Sequence, residues 1–445
     1  MSPLAKRRRA TELGLGIIAV VIVTGGYILV GLAEHADLPP DLVAILVGLV
    51  ALFFLAHLAI RRFAPRADPT LLPLVVALNG IGFVIIARLD RDLARVQSIW
   101  AAVGVAAFIG TLVLVRRVRI LERYRYTFLM AGIVALLLPL LPGIGFSLNG
   151  ARLWAKVGPV TFQPGEAAKV LLVVFFAAYL VEKRELLSSG TLRVGRLALP
   201  DPKHLGPLLL IWGFSLVVLV FETDLGSSLL FFAVFVGMLY VATQRAAYVA
   251  VGFGMFAVGA VIAYQLFSHV QDRVTNWQDP WPAAGEGNSQ LVEALFGFGT
   301  GGFAGRGFGL GNPDRIPVVE TDFIYAAIGE ELGLLGTVAL LIAFLLLVGT
   351  GFRIAVQAQR PFSKIFATGL TTIIGVQTFV ILGGVTRLIP LTGITLPFVS
   401  YGGSSLVANF VIVALLLRIS DETAASAEEK LERQVREKRS AGVTA

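Results

Sequence analysis

No cysteine occurs in the 445 residues. Disulfide frameworks, thiolate metal sites and cysteine nucleophiles are therefore excluded. Charge is scarce too: 15% of residues are Asp, Glu, Lys or Arg, against 56% hydrophobic. A soluble domain of this length does not carry that balance. The histidines, His35, His57, His204 and His269, have no metal-ligand spacing, and HExxH, SxxK and GxSxG are all missing. Metalloprotease, penicilloyl-serine and esterase-like hydrolase chemistries thus lack their motifs. Lys6-Arg7-Arg8-Arg9 precede an apolar run with no small-residue cleavage pattern after it, so a removable signal is not expected.

What the chain has is apolar runs longer than 18 residues, many of them. The expected fold is an all-α polytopic membrane protein with about twelve transmembrane helices, near 12–33, 42–60, 70–88, 97–115, 126–142, 166–183, 205–221, 224–243, 246–267, 323–350, 366–388 and 400–418. Of the 37 Lys and Arg, 27 lie in segments 6–9, 61–66, 116–125, 183–203, 245, 353–364 and 418–439. Positive charge collects on the cytoplasmic side, which predicts cytoplasmic termini in the cytoplasmic (inner) membrane. The net charge of +8 is read the same way, with no nucleic-acid partner. Three regions follow: 1–69, a basic segment and two extra N-terminal helices; 70–418, a membrane core with a large outer loop, 268–322; and 419–445, a polar tail expected to be solvated and partly helical.

Gly297 to Gly333 is the stretch on which the chain turns. Its first part is rich in glycine, which predicts a flexible, close-approach loop rather than a helix. No Lys-Ser/Thr follows, so it is not a nucleotide loop. Thr321-Asp322 then stand at the mouth of an apolar helix that holds Glu330 and Glu331. Charges inside a span are costly, about 2.5–3.5 kcal/mol each at a helix centre. Other ionisable groups fall at the same outer depth: Arg152 and Lys156, Glu166 and Lys169, Glu222 and Asp224, Arg273, and Arg387. Each alone reads equally well as an interhelical ion pair. Together they are better explained by one polar cavity.

Chemistry in an outward site has no nucleoside triphosphate to draw on, so its substrate must arrive activated. A lipid-linked sugar diphosphate meets that need if cations stabilise the leaving group. Arg152, Lys156, Lys169, Arg273 and Arg387 are the candidate cations, and one carboxylate base suffices to activate a sugar hydroxyl. Asp322 is the candidate base, although Asp at a helix start is also an ordinary N-cap.

Six short motifs now fall in order: Asn149-Gly150-Ala151-Arg152 with Trp154; Phe162-Gln163-Pro164 with Glu166 and Lys169; Asp224-Leu225-Gly226; Asp279-Pro280 with Gln290; Thr321-Asp322-Phe323-Ile324 with Glu330-Glu331-Leu332-Gly333; and Pro390-Leu391-Thr392-Gly393-Ile394 through Ser400-Tyr401-Gly402-Gly403-Ser404-Ser405. They resemble the SEDS family of shape, elongation, division and sporulation proteins, of the RodA and FtsW type. The likeness covers about residues 70–418 and leans towards RodA-type members of actinobacteria.

The resemblance implies a peptidoglycan glycosyltransferase that polymerises lipid II onto a lipid-linked growing glycan strand outside the cytoplasmic membrane, for elongation and shape. It implies a class B penicillin-binding protein as partner. It maps the family's essential acidic residue onto Asp322 and adds Glu166, Asp224, Glu331, Ser400 and Ser404 to the expected substrate-binding residues. A divalent cation, magnesium or manganese, is the one cofactor expected; no organic cofactor is. A flippase for lipid-linked precursors, or a division-type polymerase, is the alternative.

Overall fold

In a computed structural model the described residues are 2–38, 41–148, 151–158, 160–188, 192–194, 197–199, 213, 225–282 and 290–443. Among them ten helices are long and apolar enough to cross a membrane. These are α1 (Pro3–His35), α2 (Leu42–Phe63), α3 (Leu71–Leu89), α4 (Arg91–Leu114), α7 (Pro164–Glu182), α9 (Leu225–Thr243), α10 (Ala246–Leu266), α13 (Ile324–Gln357), α14 (Pro361–Val385) and α15 (Gly403–Val443). The fold is the polytopic helical one expected from composition. The span expected at 205–221 lies outside the described residues apart from residue 213.

Several elements differ from the sequence expectation. The span near 126–142 is the shorter helix α6 (Arg125–Leu137), preceded by α5 (Arg119–Arg123) and tightened into a 3₁₀ turn at Leu138–Leu140. Pro139 and Pro142 remove the donors a longer helix needs. The loop after it carries an antiparallel sheet in the order β1 (Gly145–Leu148), β2 (Ala151–Val157), β3 (Val160–Phe162). After α7 come α8 (Arg184–Ser188) and a hairpin of β4 (Leu192–Val194) and β5 (Leu197–Leu199). The loop 268–322, expected to face outward, contains α11 (Ser268–Gln278) and α12 (Gln290–Gly301). The glycine run therefore starts as a helix and becomes a loop only after Gly301.

The core is built on α7, α14 and α15, whose apolar stretches are largely buried. Phe175, Phe176, Phe366 and Phe108 are closed to solvent. Ring pairs such as Phe176 with Phe235, centroids 5.7 Å apart, bind α7 to α9. α15 packs on α4, α6 on α7, α1 on α3, and α13 on α14. α10 leaves most of its length outward, with Phe253, Val258 and Leu266 exposed. An apolar helix with so little protein cover is stable only in lipid.

The tail is not simply solvated. α15 runs on to Val443, and its first polar turns dock on the rest of the chain. Arg418 donates to the carbonyls of Phe63 and Leu112, Asp421 accepts from the Arg66 N–H at 2.7 Å, and Glu422 accepts from the Val118 N–H at 2.7 Å. Ser2 Oγ donates to Glu428 at 2.7 Å, which puts the starts of α1 and the tail at one end of the bundle. At that end Arg9, Glu12 and His57 form a buried cluster that fixes α1 to α2.

Candidate active site

Asp322 stands one residue outside the start of α13. The N-cap position itself is Phe323, which brings no side-chain cap. The bland role foreseen for Asp322 is thus not the one its position gives it. Its neighbour is Gly393: a Cβ built there would lie 3.6 Å from Asp322 Oδ2 and 3.9 Å from Arg273 Nη2. The carboxylate and the guanidinium converge on one point. Gly393 has φ +77, a conformation that glycine adopts without strain, and its bare Cα leaves that point open.

The segment 390–405 holds the surroundings in place. Arg273, on α11, donates to the Thr392 carbonyl at 2.8 Å. Ser400 Oγ donates to the Thr321 carbonyl and accepts from the Leu396 N–H at 3.0 Å. The Tyr401 N–H donates to the Glu320 carbonyl at 2.8 Å. Ser404 Oγ accepts from the Gln163 N–H at 2.9 Å, just before α7. Gly226, in the first turn of α9, packs on Thr392 and Ile394. One loop thus gathers α7, α9, α11, α13 and α15. Ser400 and Ser404 are fasteners in it, with their hydroxyls already engaged by backbone.

Glu166 and Lys169 are paired on α7, Nζ to Oε2 2.7 Å, and both are buried. Asp224 and Glu222 lie outside the described residues. Arg152 Nε donates to the Pro139 carbonyl at 3.0 Å within its own loop, and Lys156 is exposed on β2. Arg387, at φ +63, is bound to the end of α11: Nε to Trp277 O at 2.9 Å and Nη2 to Gln278 O at 2.7 Å, while Trp277 Nε1 donates back to Arg387 O at 3.0 Å. The cations expected to share one cavity are therefore distributed. Arg273 is the one whose guanidinium reaches the point beside Gly393 that Asp322 also reaches.

Glu330 and Glu331 belong to a second cluster. α13 breaks at Gly333, whose φ 65 and ψ −162 are not helical. The whole helix, at 34 residues, would run about 51 Å, whereas the part after the break is still about 36 Å long and enough to cross the bilayer. The turns with the two glutamates are extra length at one end. There the loop after α12 is laced to them: Arg306 N–H to Glu330 O at 3.0 Å, Gly307 N–H to Glu331 O at 2.9 Å, and Leu334 N–H to Gly302 O at 2.9 Å. The side chains do the same, Glu330 accepting from Asn312 N–H and Glu331 from Gly309 N–H. Arg88, at the end of α3, faces Glu331 at 3.3 Å and Asp314 at 3.5 Å. The glycines allow backbone contact, since a Cβ on Gly305 would lie 2.2 Å from Glu331 O. The sequence marked Glu331 as a substrate-binding candidate; in the structure both glutamates anchor the loop. Arg88 was missed: Asp90 and Asp92 follow it closely, so the sequence offered local partners and did not point to Glu331.

Two groups beside this loop shift. His269 is held below its usual range by burial and then by Arg273 nearby. Burial, then the carboxylates of Glu320 and Asp90, pushes the Tyr401 hydroxyl up.

The fold and site define a polytopic helical membrane protein with a carboxylate–guanidinium pair at one end of its bundle. The family profile described as "cell cycle protein", for FtsW, RodA and SpoVE, matches residues 69–425, and this chain belongs to that SEDS family. It is 44% identical over 94% of its length to the peptidoglycan glycosyltransferase RodA of Mycobacterium tuberculosis strain H37Rv, covering 91% of that protein. It is 33% identical over 80% of its length to a probable peptidoglycan glycosyltransferase FtsW of Geobacter metallireducens, covering 95% of it. Among solved structures, a chain from a peptidoglycan synthase complex that coordinates polymerization and crosslinking superposes with a TM-score of 0.67 at 26% identity, over 80% of this chain and 98% of that one. The rod shape determining protein RodA of Thermus thermophilus gives 0.57 at 26% identity, over 80% and 96%.

Proposed function

We propose that this protein is a peptidoglycan glycosyltransferase that polymerises lipid II on the outer face of the cytoplasmic membrane, in elongation and shape, with both termini cytoplasmic. The observation that carries the reading is the meeting of Asp322 and Arg273 beside Gly393. The acceptor sugar hydroxyl attacks the anomeric carbon of the donor, the new glycosidic bond forms, and the bond to the diphosphate breaks. Asp322 takes the hydroxyl proton as general base. Arg273 faces the diphosphate as it gains charge, with its planar fork matched to phosphate oxygens. A single carboxylate fits a direct displacement with inversion.

Among the described residues no group of three acidic or histidine side chains has the arrangement to hold a metal ion, so a magnesium or manganese ion would be held by Asp322 and substrate oxygens. Such an ion would supply charge neutralisation at the diphosphate. The partner proposed is a class B penicillin-binding protein, in keeping with the synthase complex that holds a structurally similar chain. The 44% identity to proteins named RodA, against 33% to one named FtsW, supports an elongation role. The test is lipid II polymerisation by the purified protein with its transpeptidase partner. Glycan strands from wild-type protein and none from an Asp322→Asn variant of equal melting temperature support the reading; no strands from wild-type protein with its partner overturn it.

A further inference from the structure

At the end of the bundle that carries the start of α1 and the tail is a cavity of about 340 Å³. Its wall forms where three elements meet: Arg184 opens α8, Gln244 follows α9, and the turn Gln359-Arg360 leads into Pro361 and Lys364 of α14. Among the described residues three cations line it and no acid does. All three are exposed, and among the described residues no carboxylate lies within 4.0 Å of any of their nitrogens. A fourth cation stands at the rim, for Lys430 Nζ donates to Gln359 at 3.0 Å. Glu422 is near enough to influence Arg360, but its carboxylate already accepts the Val118 N–H. The first turn of α14, a helix of 25 residues, carries no side-chain cap, so its free N–H groups add partial positive charge to the same wall.

The preference for positive charge on one membrane side explains cations in these loops. It does not explain a hollow that three separate elements close around them. Like charges held together repel, and an anion between them removes that cost. The ligand's chemistry is therefore that of a phosphate. The setting selects its source, because the cavity lies at the ends of helices long and apolar enough to cross a membrane, next to exposed apolar residues. Leu186 on α8, Tyr240 on α9 and Val356 on α13 are exposed one or two residues along the chain from lining residues, and Phe352 one turn further along α13. They offer acyl chains an apolar surface near a charged headgroup pocket, a pattern found where helical bundles bind anionic lipids.

The geometry points to a binding site for the phosphate of an anionic glycerophospholipid, made by Arg184, Arg360 and Lys364. Binding here is read without turnover, so it stands or falls separately from the glycosyltransferase activity. The full-length protein in phosphatidylcholine micelles is titrated with phosphatidylglycerol, and retained lipid is counted by native mass spectrometry. Wild-type protein retains phosphatidylglycerol, and the triple variant Arg184→Gln, Arg360→Gln, Lys364→Gln needs a concentration higher by on the order of a hundredfold. The variant Arg184→Lys, Arg360→Lys, which keeps the charge, retains the lipid at no more than a few times the wild-type concentration. Equal retention by wild-type and triple-Gln protein of equal melting temperature overturns the site. If inorganic phosphate at the same concentration displaces the lipid from wild-type protein, the cavity takes a free anion and the lipid assignment is overturned.

Discussion

Arg88 Nε lies 3.3 Å from Glu331 Oε1, across the junction between the end of α3 and the broken start of α13. Glu331 is completely buried. Because the carboxylate also accepts from Gly309 N–H, one ion pair fixes both a helix and the glycine loop. Removing one partner strands a buried charge, which costs about 3–5 kcal/mol. Arg88→Met is expected to lower the melting temperature of the detergent-solubilised protein sharply, and the double variant Arg88→Met, Glu331→Met to recover much of that loss. An unchanged melting temperature for Arg88→Met would remove the anchor role.

Asp322→Asn separates chemistry from architecture. Asn is nearly the same shape but has no charge, and general-base catalysis contributes about 10²–10⁴-fold. Polymerisation is expected to fall by that factor with melting temperature and partner binding unchanged. Full activity in this variant would return the base role to another carboxylate.

For the two arginines the structure separates outcomes. Arg273→Lys keeps the charge beside Gly393 but loses the fork. The expected result is slower polymerisation in a folded protein. Arg387 spends its guanidinium on the Trp277 and Gln278 carbonyls, so Arg387→Lys is expected to loosen α11 and lower thermal stability. Protease sensitivity of the outer loop checks the second outcome, and kcat the first.

Glycine positions in the loop should divide by what surrounds them. Gly333 combines φ 65, ψ −162 with a Cβ position 2.3 Å from Gly305 N, so Gly333→Ala is expected to lose at least about 1–3 kcal/mol. Gly302 also has positive φ, but nothing lies within 4 Å of its Cβ position. Gly302→Ala should cost only the backbone term, about 1–2 kcal/mol. Similar melting temperatures for the two variants would contradict this loop packing.

Orientation has a direct test, since the chain has no native cysteine. Gln271→Cys, on exposed α11, is expected to label with an impermeant thiol reagent in intact cells, and Lys430→Cys only after lysis. The opposite pattern would invert the proposed topology and move Asp322 to the cytoplasmic side.

By itself the sequence determined the membrane class, most of the helical spans and the position of Asp322. Those follow from apolar run length and from one carboxylate before one helix, both local properties. It also led to the expectation of these charges at one depth, but depth is a coordinate along the membrane normal and says nothing of lateral position. Only the tertiary structure decided that Arg273 faces Asp322's neighbourhood while Arg387 clasps α11 and Glu331 pairs with Arg88. Such pairings join residues up to hundreds of positions apart, and helix packing sets them. The glycine run shows the same limit. Its composition permitted both a mobile loop and a close backbone contact, and the missing Cβ atoms serve contact because the broken helix of Glu330 and Glu331 lies directly against them.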